Sequence, residues 1–196
     1  MKDSLYLLRQ AFIIPILGII NIILGFFVPG YDIVSQRISE LALESHFVAY
    51  THRSLDILIG ISMSLFSVQI LRIRKAYFSF FLIFAFGMTW IFAGIFILTN
   101  PLHDIYGLTT VLIIIPSIFT LEFKDLLKFE TFTTYSILTS VIHIIFFWFF
   151  NYGFISQEYA GISQRIWVFI TLLWYGIAAN QLFQASKMKM IIRNNT

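Results

Sequence analysis

The sequence contains no cysteine. Disulfides, thiolate catalysis, iron–sulfur clusters and cysteine-bound zinc are therefore excluded. Charge is also scarce: Asp, Glu, Lys and Arg make up 12% of the 196 residues, against about a quarter in a soluble domain. Too little polar surface remains to cover a globule in water. What fills the chain instead is 59% apolar and 18% aromatic residues, with a mean hydropathy of +0.85. That excess must face lipid. The net charge of +3 looks basic, but in a membrane protein the placement of charge matters more than its sum. Nucleic-acid binding gains no support from it.

Uncharged residues run over 10–31, 57–71, 76–102, 105–121, 131–157 and 166–186. A helical span takes about 20 residues. Four runs reach that length, and the second and fourth must borrow polar neighbours. The expected fold is an all-α polytopic membrane protein, a single transmembrane domain over 1–196. Its six transmembrane helices fall at about 9–29, 50–72, 76–99, 104–122, 133–152 and 162–186. The first run is read as an uncleaved helix, because Val28-Pro29-Gly30 is not a signal-peptidase site.

Lysine and arginine set the orientation. Lys2, Arg9, Arg72, Arg74, Lys75, Lys124, Lys128, Lys187, Lys189 and Arg193 fall on one side; only Arg37, Arg53 and Arg165 fall on the other. The positive-inside rule puts both termini in the cytoplasm and the chain in the plasma (inner) membrane. Asp32, Glu40, Glu44, Asp56, Asp104, Glu158, His46, His52 and His103 then lie outside, so any site is expected there.

Small residues mark the helix seams. Gly18, Asn21 and Gly25 share a face of the first helix, and Gly60, Ser64 and Ser67 a face of the second. Such seams permit contacts between chains, hence a homo-oligomer, as well as within one. His143 lies mid-span on the fifth helix near Ser136, Thr139 and Ser140, and is as readily a hydroxyl-bonded core residue as a functional one.

The first outer loop carries most of the information. Pro29-Gly30 stops the first helix, and Asp32 is a good cap for the segment after it. Val34, Ile38, Leu41 and Ala42 form an apolar stripe, which predicts a short interfacial helix at about 33–43. It is either an anchor or a lid over an outward cavity. Arg53 and Asp56, one turn apart, are expected to pair. His103-Asp104 offers acid–base chemistry or metal ligation, although no metal site and no cofactor are assigned. Arg165 is placed to meet a carboxylate or a lipid phosphate.

These segments resemble the uncharacterised prokaryotic multi-pass membrane family catalogued as domain of unknown function 998. The likeness is carried by Tyr31-Asp32 with Ser35 and Ile38-Ser39-Glu40-Leu41, by Pro101 with His103-Asp104 and Gly107, by Gly161 with Gln164-Arg165, and by Arg53. It covers nearly the whole chain. The stretch from Glu44-Ser45-His46 to His52 departs from the family pattern, where small and glycine-rich residues are usual, so the resemblance assigns no role to His46 or His52. The family is distantly similar to eukaryotic membrane proteins associated with lipid handling, which implies a membrane lipid as partner.

Residues and resemblance together nominate one pocket. His103 is the candidate general base, with Asp32 or Glu40 as partner carboxylate; Ser35, Ser39, Arg53 and Arg165 are the candidate binding residues. Three functions compete: a lipid-headgroup enzyme or binder, a structural protein whose outer charges only cap the bundle, and a small transporter. Neither H-E-x-x-H nor G-x-S-x-G occurs, which disfavours zincin and serine-hydrolase chemistry.

Overall fold

The computed structural model describes residues 8–127 and 130–194. Lys2 and Lys128, two of the cations used to orient the chain, lie outside the described residues. Among those described there is no strand, and six helices are long and apolar enough to cross a membrane. They are α1 (Gln10–Phe27), α2 (His46–Arg74), α3 (Tyr77–Ile95), α4 (Pro101–Phe123), α5 (Glu130–Asn151) and α6 (Ala160–Asn194). The chain is an integral membrane protein of the multi-pass kind.

Helices α2 and α3 form the tightest pair, running antiparallel with backbone against backbone. A Cβ on Gly60 would stand 2.4 Å from the Gly87 carbonyl oxygen, and one on Gly94 would stand 2.6 Å from that of Arg53. Small side chains let membrane helices approach this closely. On α1, Gly18 receives Leu172 of α6 and Gly25 receives Tyr31 and Arg165. The small-residue seams read from the sequence are thus used within the chain.

Two boundaries moved. Helix α3 ends at Ile95 instead of 99 because Arg53 takes its last carbonyls: Nε–H donates to Gly94 and Nη2–H to Ile95, each at 2.7 Å. A guanidinium at a helix C-terminus satisfies orphan carbonyls and meets the negative end of the dipole. The expected Arg53–Asp56 pair therefore does not form. Helix α4 begins at Pro101 and is a 3₁₀ helix over Ile105–Ile114 before turning α at Ile115. Pro116 stands at the change, in the first turn of the α segment, where its missing N–H costs no hydrogen bond. Ten residues of 3₁₀ helix rise about 20 Å against about 15 Å for α, which lets the short fourth run reach across.

The interfacial helix expected at 33–43 is shorter. Residues 32–36 form a turn, with Gln36 N–H donating to the Asp32 carbonyl at 2.8 Å. A separate 3₁₀ helix follows at Ile38–Leu43. Its Ile38, Leu41 and Ala42 are buried, and Ile38 and Leu41 pack with Val28, Tyr31 and Val168 in a small apolar cluster. Of the stripe read as membrane-facing, all but the exposed Val34 is turned into the bundle, so this connector roofs one end of the helices.

The middle of the bundle is closed by rings. Phe66, Phe119 and Tyr175 are fully buried, and Phe66 lies 6.3 Å from each of the other two. Phe86 stacks on Tyr175 at 6.4 Å.

The α2–α3 contact yields a test. Gly60→Ala would push against the backbone of Gly87 and Ile91 as well as the Ile91 side chain, and should cost about 1–3 kcal/mol. The apparent Tm in detergent should fall clearly, while Leu65→Ala on the lipid-facing side should barely move it. Equal melting of the two variants would show that the close approach contributes nothing.

Candidate functional site

Five of the seven nominated residues hold the roof together. Asp32 is exposed, and its two oxygens accept from Val34 N–H (3.0 Å) and the Ser35 hydroxyl (2.6 Å). Those bonds, the Ser35 hydroxyl first, hold its carboxyl below the usual range. Glu40 accepts from the Arg37 N–H at 3.0 Å and so caps the 3₁₀ helix. Arg53 caps α3 as described. Arg165 is 3% exposed and opens α6. Its Nη1 donates to the carbonyls of Ile33 (2.9 Å) and Gln36 (2.7 Å), and its Nη2 to the Tyr31 hydroxyl (3.1 Å). Tyr31 donates in turn to the Arg37 carbonyl at 2.5 Å. Burial, above all, holds its phenol above the ordinary value, so it stays a donor.

The start of α6 and the 31–38 loop are one unit. Ile162 N–H donates to Val34 O at 2.9 Å, and Gln164 Oε1 accepts from Ile38 N–H at 2.7 Å. Gly161 leaves room for the loop, since a Cβ there would stand 2.2 Å from the Gln36 carbonyl oxygen. Arg165 takes the Ile33 and Gln36 carbonyls away from any helical ladder, which is why 33–43 cannot be one helix. Asp32, Ser35, Arg53 and Arg165 do not line a common pocket.

Ser39 and His103 do. They face a cavity of about 390 Å³ under the roof, walled by α2, α3, α4 and α6. Arg37, Asp104 and Gln164 also line it, as do Trp90, Trp167 and Phe86. His103 Nδ1–H donates to the Phe96 carbonyl at 2.8 Å. A carbonyl can only accept, so this bond fixes the tautomer and leaves Nε2 with a lone pair. Asp104 accepts from the Thr109 hydroxyl. Ile105, next in the chain, has a φ of 39°, a left-handed conformation that a β-branched residue rarely adopts. Strain of this kind concentrates at functional sites. The Arg37 guanidinium has no carboxylate within ion-pair distance among the described residues.

The α2 wall carries two groups that the sequence reading passed over. His52 and Asp56 are 2% and 4% exposed and both line the cavity. Asn21 of α1 joins them: its Nδ2–H donates to Asp56 Oδ1 and its Oδ1 accepts from His52 Nδ1, each at 2.8 Å. The signal was present in the four-residue spacing of His52 and Asp56, but the competing Arg53 hid it. His143 lies behind the wall, its Nε2 3.2 Å from the hydroxyl of Thr171, which does line the cavity. No group of three or more His, Asp or Glu suited to a metal ion occurs among the described residues.

Comparison with known families agrees with the sequence motifs. The family model described as protein of unknown function (DUF998) matches residues 12–180. The chain belongs to this family. The match spans the roof, all the lining residues of the walls and the clamp at the start of α6, and thus the whole cavity of this DUF998 protein. No curated protein and no solved structure matches the chain.

Two predictions concern the roof. Arg165→Lys keeps the charge but not the fork of donors. It should leave buried loop carbonyls unsatisfied, at about 1–3 kcal/mol; limited proteolysis should cut within 31–38, whereas an equally protected loop would show that the clamp is dispensable. Asp32 has a lowered pKa when folded, so its contribution to the turn is present above the ordinary carboxylate range and lost as pH falls through the folded value. Exchange of the Val34 amide should therefore accelerate below about pH 4, once the ordinary pH dependence of exchange is divided out. Asp32→Asn should remove that extra dependence.

Proposed function

We propose that the cavity binds the headgroup of an anionic membrane lipid. The observation that carries this is a blind, partly apolar cavity with an uncommitted guanidinium, Arg37, among its lining groups. A volume of about 390 Å³ lies in the range of small-molecule sites, which combine apolar walls with a few placed polar groups. Arg37 supplies the phosphate-binding cation and Gln164, Ser39 and His103 Nε2 the polar contacts, with Trp90 and Trp167 along the walls. The ring cluster of Phe66, Phe119 and Tyr175 beneath Phe86 supports a site closed from below and counts against a through-going transport path.

Charge placement supports a location. Arg9, Arg72, Arg74, Lys75, Lys124 and Lys187 gather at the end opposite the cavity. On this reading that end is cytoplasmic, with both termini, and the cavity opens toward the outer leaflet of the plasma membrane. His103 is kept as the group for any proton transfer. Asp32, Glu40, Ser35, Arg53 and Arg165 are assigned to holding the site's shape, which is the part of the structural-cap reading that the hydrogen bonds favour.

Native mass spectrometry of the protein in mild detergent tests the proposal. Retained anionic lipid should be lost in Arg37→Ala with no fall in Tm, whereas Arg165→Ala should lower Tm as well. Lipid retention unchanged in Arg37→Ala would contradict the assignment, and a lipid-free wild type would move the reading to the structural cap.

A further inference from the structure

The α2 wall of the cavity contains more hydrogen-bonding atoms than hydrogens to share. Asn21 donates through Nδ2–H to Asp56, so its carbonyl must accept, and His52 Nδ1 must carry the hydrogen it gives to that carbonyl. The remaining atoms are His52 Nε2 and Asp56 Oδ2, 3.3 Å apart. His52 Nε2 is buried and has no hydrogen-bond partner. Without another proton, two lone pairs face each other and a bare carboxylate sits in the membrane interior with only an amide to compensate it. Among the described residues no lysine or arginine pairs with it; Arg53, the nearest cation along α2, is committed to Gly94 and Ile95. Burying an uncompensated charge is costly. One added proton removes the conflict, since imidazolium with carboxylate and imidazole with carboxylic acid are both neutral overall.

We propose that His52 and Asp56, braced by Asn21, form a one-proton binding site in the cavity wall. The proton occupies the gap between Nε2 and Oδ2 and exchanges with solvent through the cavity, which both residues line, without crossing the ring cluster below. The titratable and charged groups around it are His103 and Asp104 from α4, Arg37 from the roof and Arg53 on α2 itself; α1, α3 and α6 bring amides, hydroxyls and the indoles of Trp90 and Trp167 to the cavity, none of which titrates in this range. The neutral form of His103 offers Nε2 as an acceptor, so the cavity can combine a proton donor with a proton acceptor, the arrangement acid–base chemistry needs. If the cavity holds an anionic headgroup, proton and anion favour each other, because the protonated wall is neutral and the deprotonated wall repels; reciprocity is required by linkage. That last step rests on the headgroup reading, whereas the proton site does not.

The test uses the full chain in nanodiscs, with ¹⁵N in the histidine rings and ¹³C in the aspartate carboxyls, followed by NMR across about pH 5 to 8. Signals are assigned by His52→Gln, His103→Gln and Asp56→Asn. His52 Nδ1 should stay protonated throughout, while Nε2 or the Asp56 carboxyl gains one proton in a single step. Wild type with bare Nδ1, or with neither group changing over the range, overturns the proposal without relying on any variant. In Asp56→Asn, provided the melting curve shows it folded, the shared step should vanish or move, and a superimposable titration would overturn it. Repeating the series with phosphatidylglycerol and with phosphatidylcholine separates the two readings. A midpoint at higher pH in phosphatidylglycerol, beyond the shift of a solvent-exposed histidine such as His46, supports both. Midpoints that differ no more than those of His46 leave the proton site standing and count against the headgroup.

Discussion

A membrane bundle must satisfy every backbone group at the points where its helices stop, because lipid offers no partner. Here two arginines meet that demand. Arg53 closes the end of α3, and Arg165 gathers the carbonyls of a loop that belongs to no helix. The shape of that end is a consequence. With Ile33 and Gln36 taken by Arg165, the connector breaks into a turn and a separate 3₁₀ helix, and its apolar face turns inward. The roof this makes brings Arg37 and Ser39 over the helices and leaves a space beneath.

The cavity exists because nothing fills that space. The α2–α3 pair is drawn together by glycines, and α4 enters as a strained 3₁₀ segment between Ile105 and Pro116. Between this pair, α4 and α6 the roofed end of the bundle stays open, while aromatic rings pack the middle. The polar residues that line the cavity therefore lie at one end of the bundle. His103 is held by a backbone carbonyl and His52 by an amide, so each ring nitrogen has a defined role.

Much of the architecture was legible in the sequence because it depends on counting: six uncharged runs and glycine at helical spacing. The clamp was only half legible. Gly161, Gln164 and Arg165 stood out as a motif, but an arginine at a helix start reads as an anion site unless one knows that loop carbonyls lie beside it. Asp32 and Glu40 misled in the same way, since a carboxylate's capping bonds depend on the turn it closes. His52 and Asp56 were overlooked because their third member, Asn21, lies 31 residues from His52 on another helix, and no local pattern connects them. The 3₁₀ form of α4 escaped, although its place did not, because a long 3₁₀ segment has no distinct hydrophobic period to find.

The most direct measurement is an experimental density map of the protein in nanodiscs containing anionic lipid. Density for a phosphate-bearing headgroup in contact with Arg37 and His103, above an intact ring cluster, is the expected result. A cavity collapsed by the roof, or filled only with water while lipid occupies other surfaces, would contradict the assignment of this space as a ligand site.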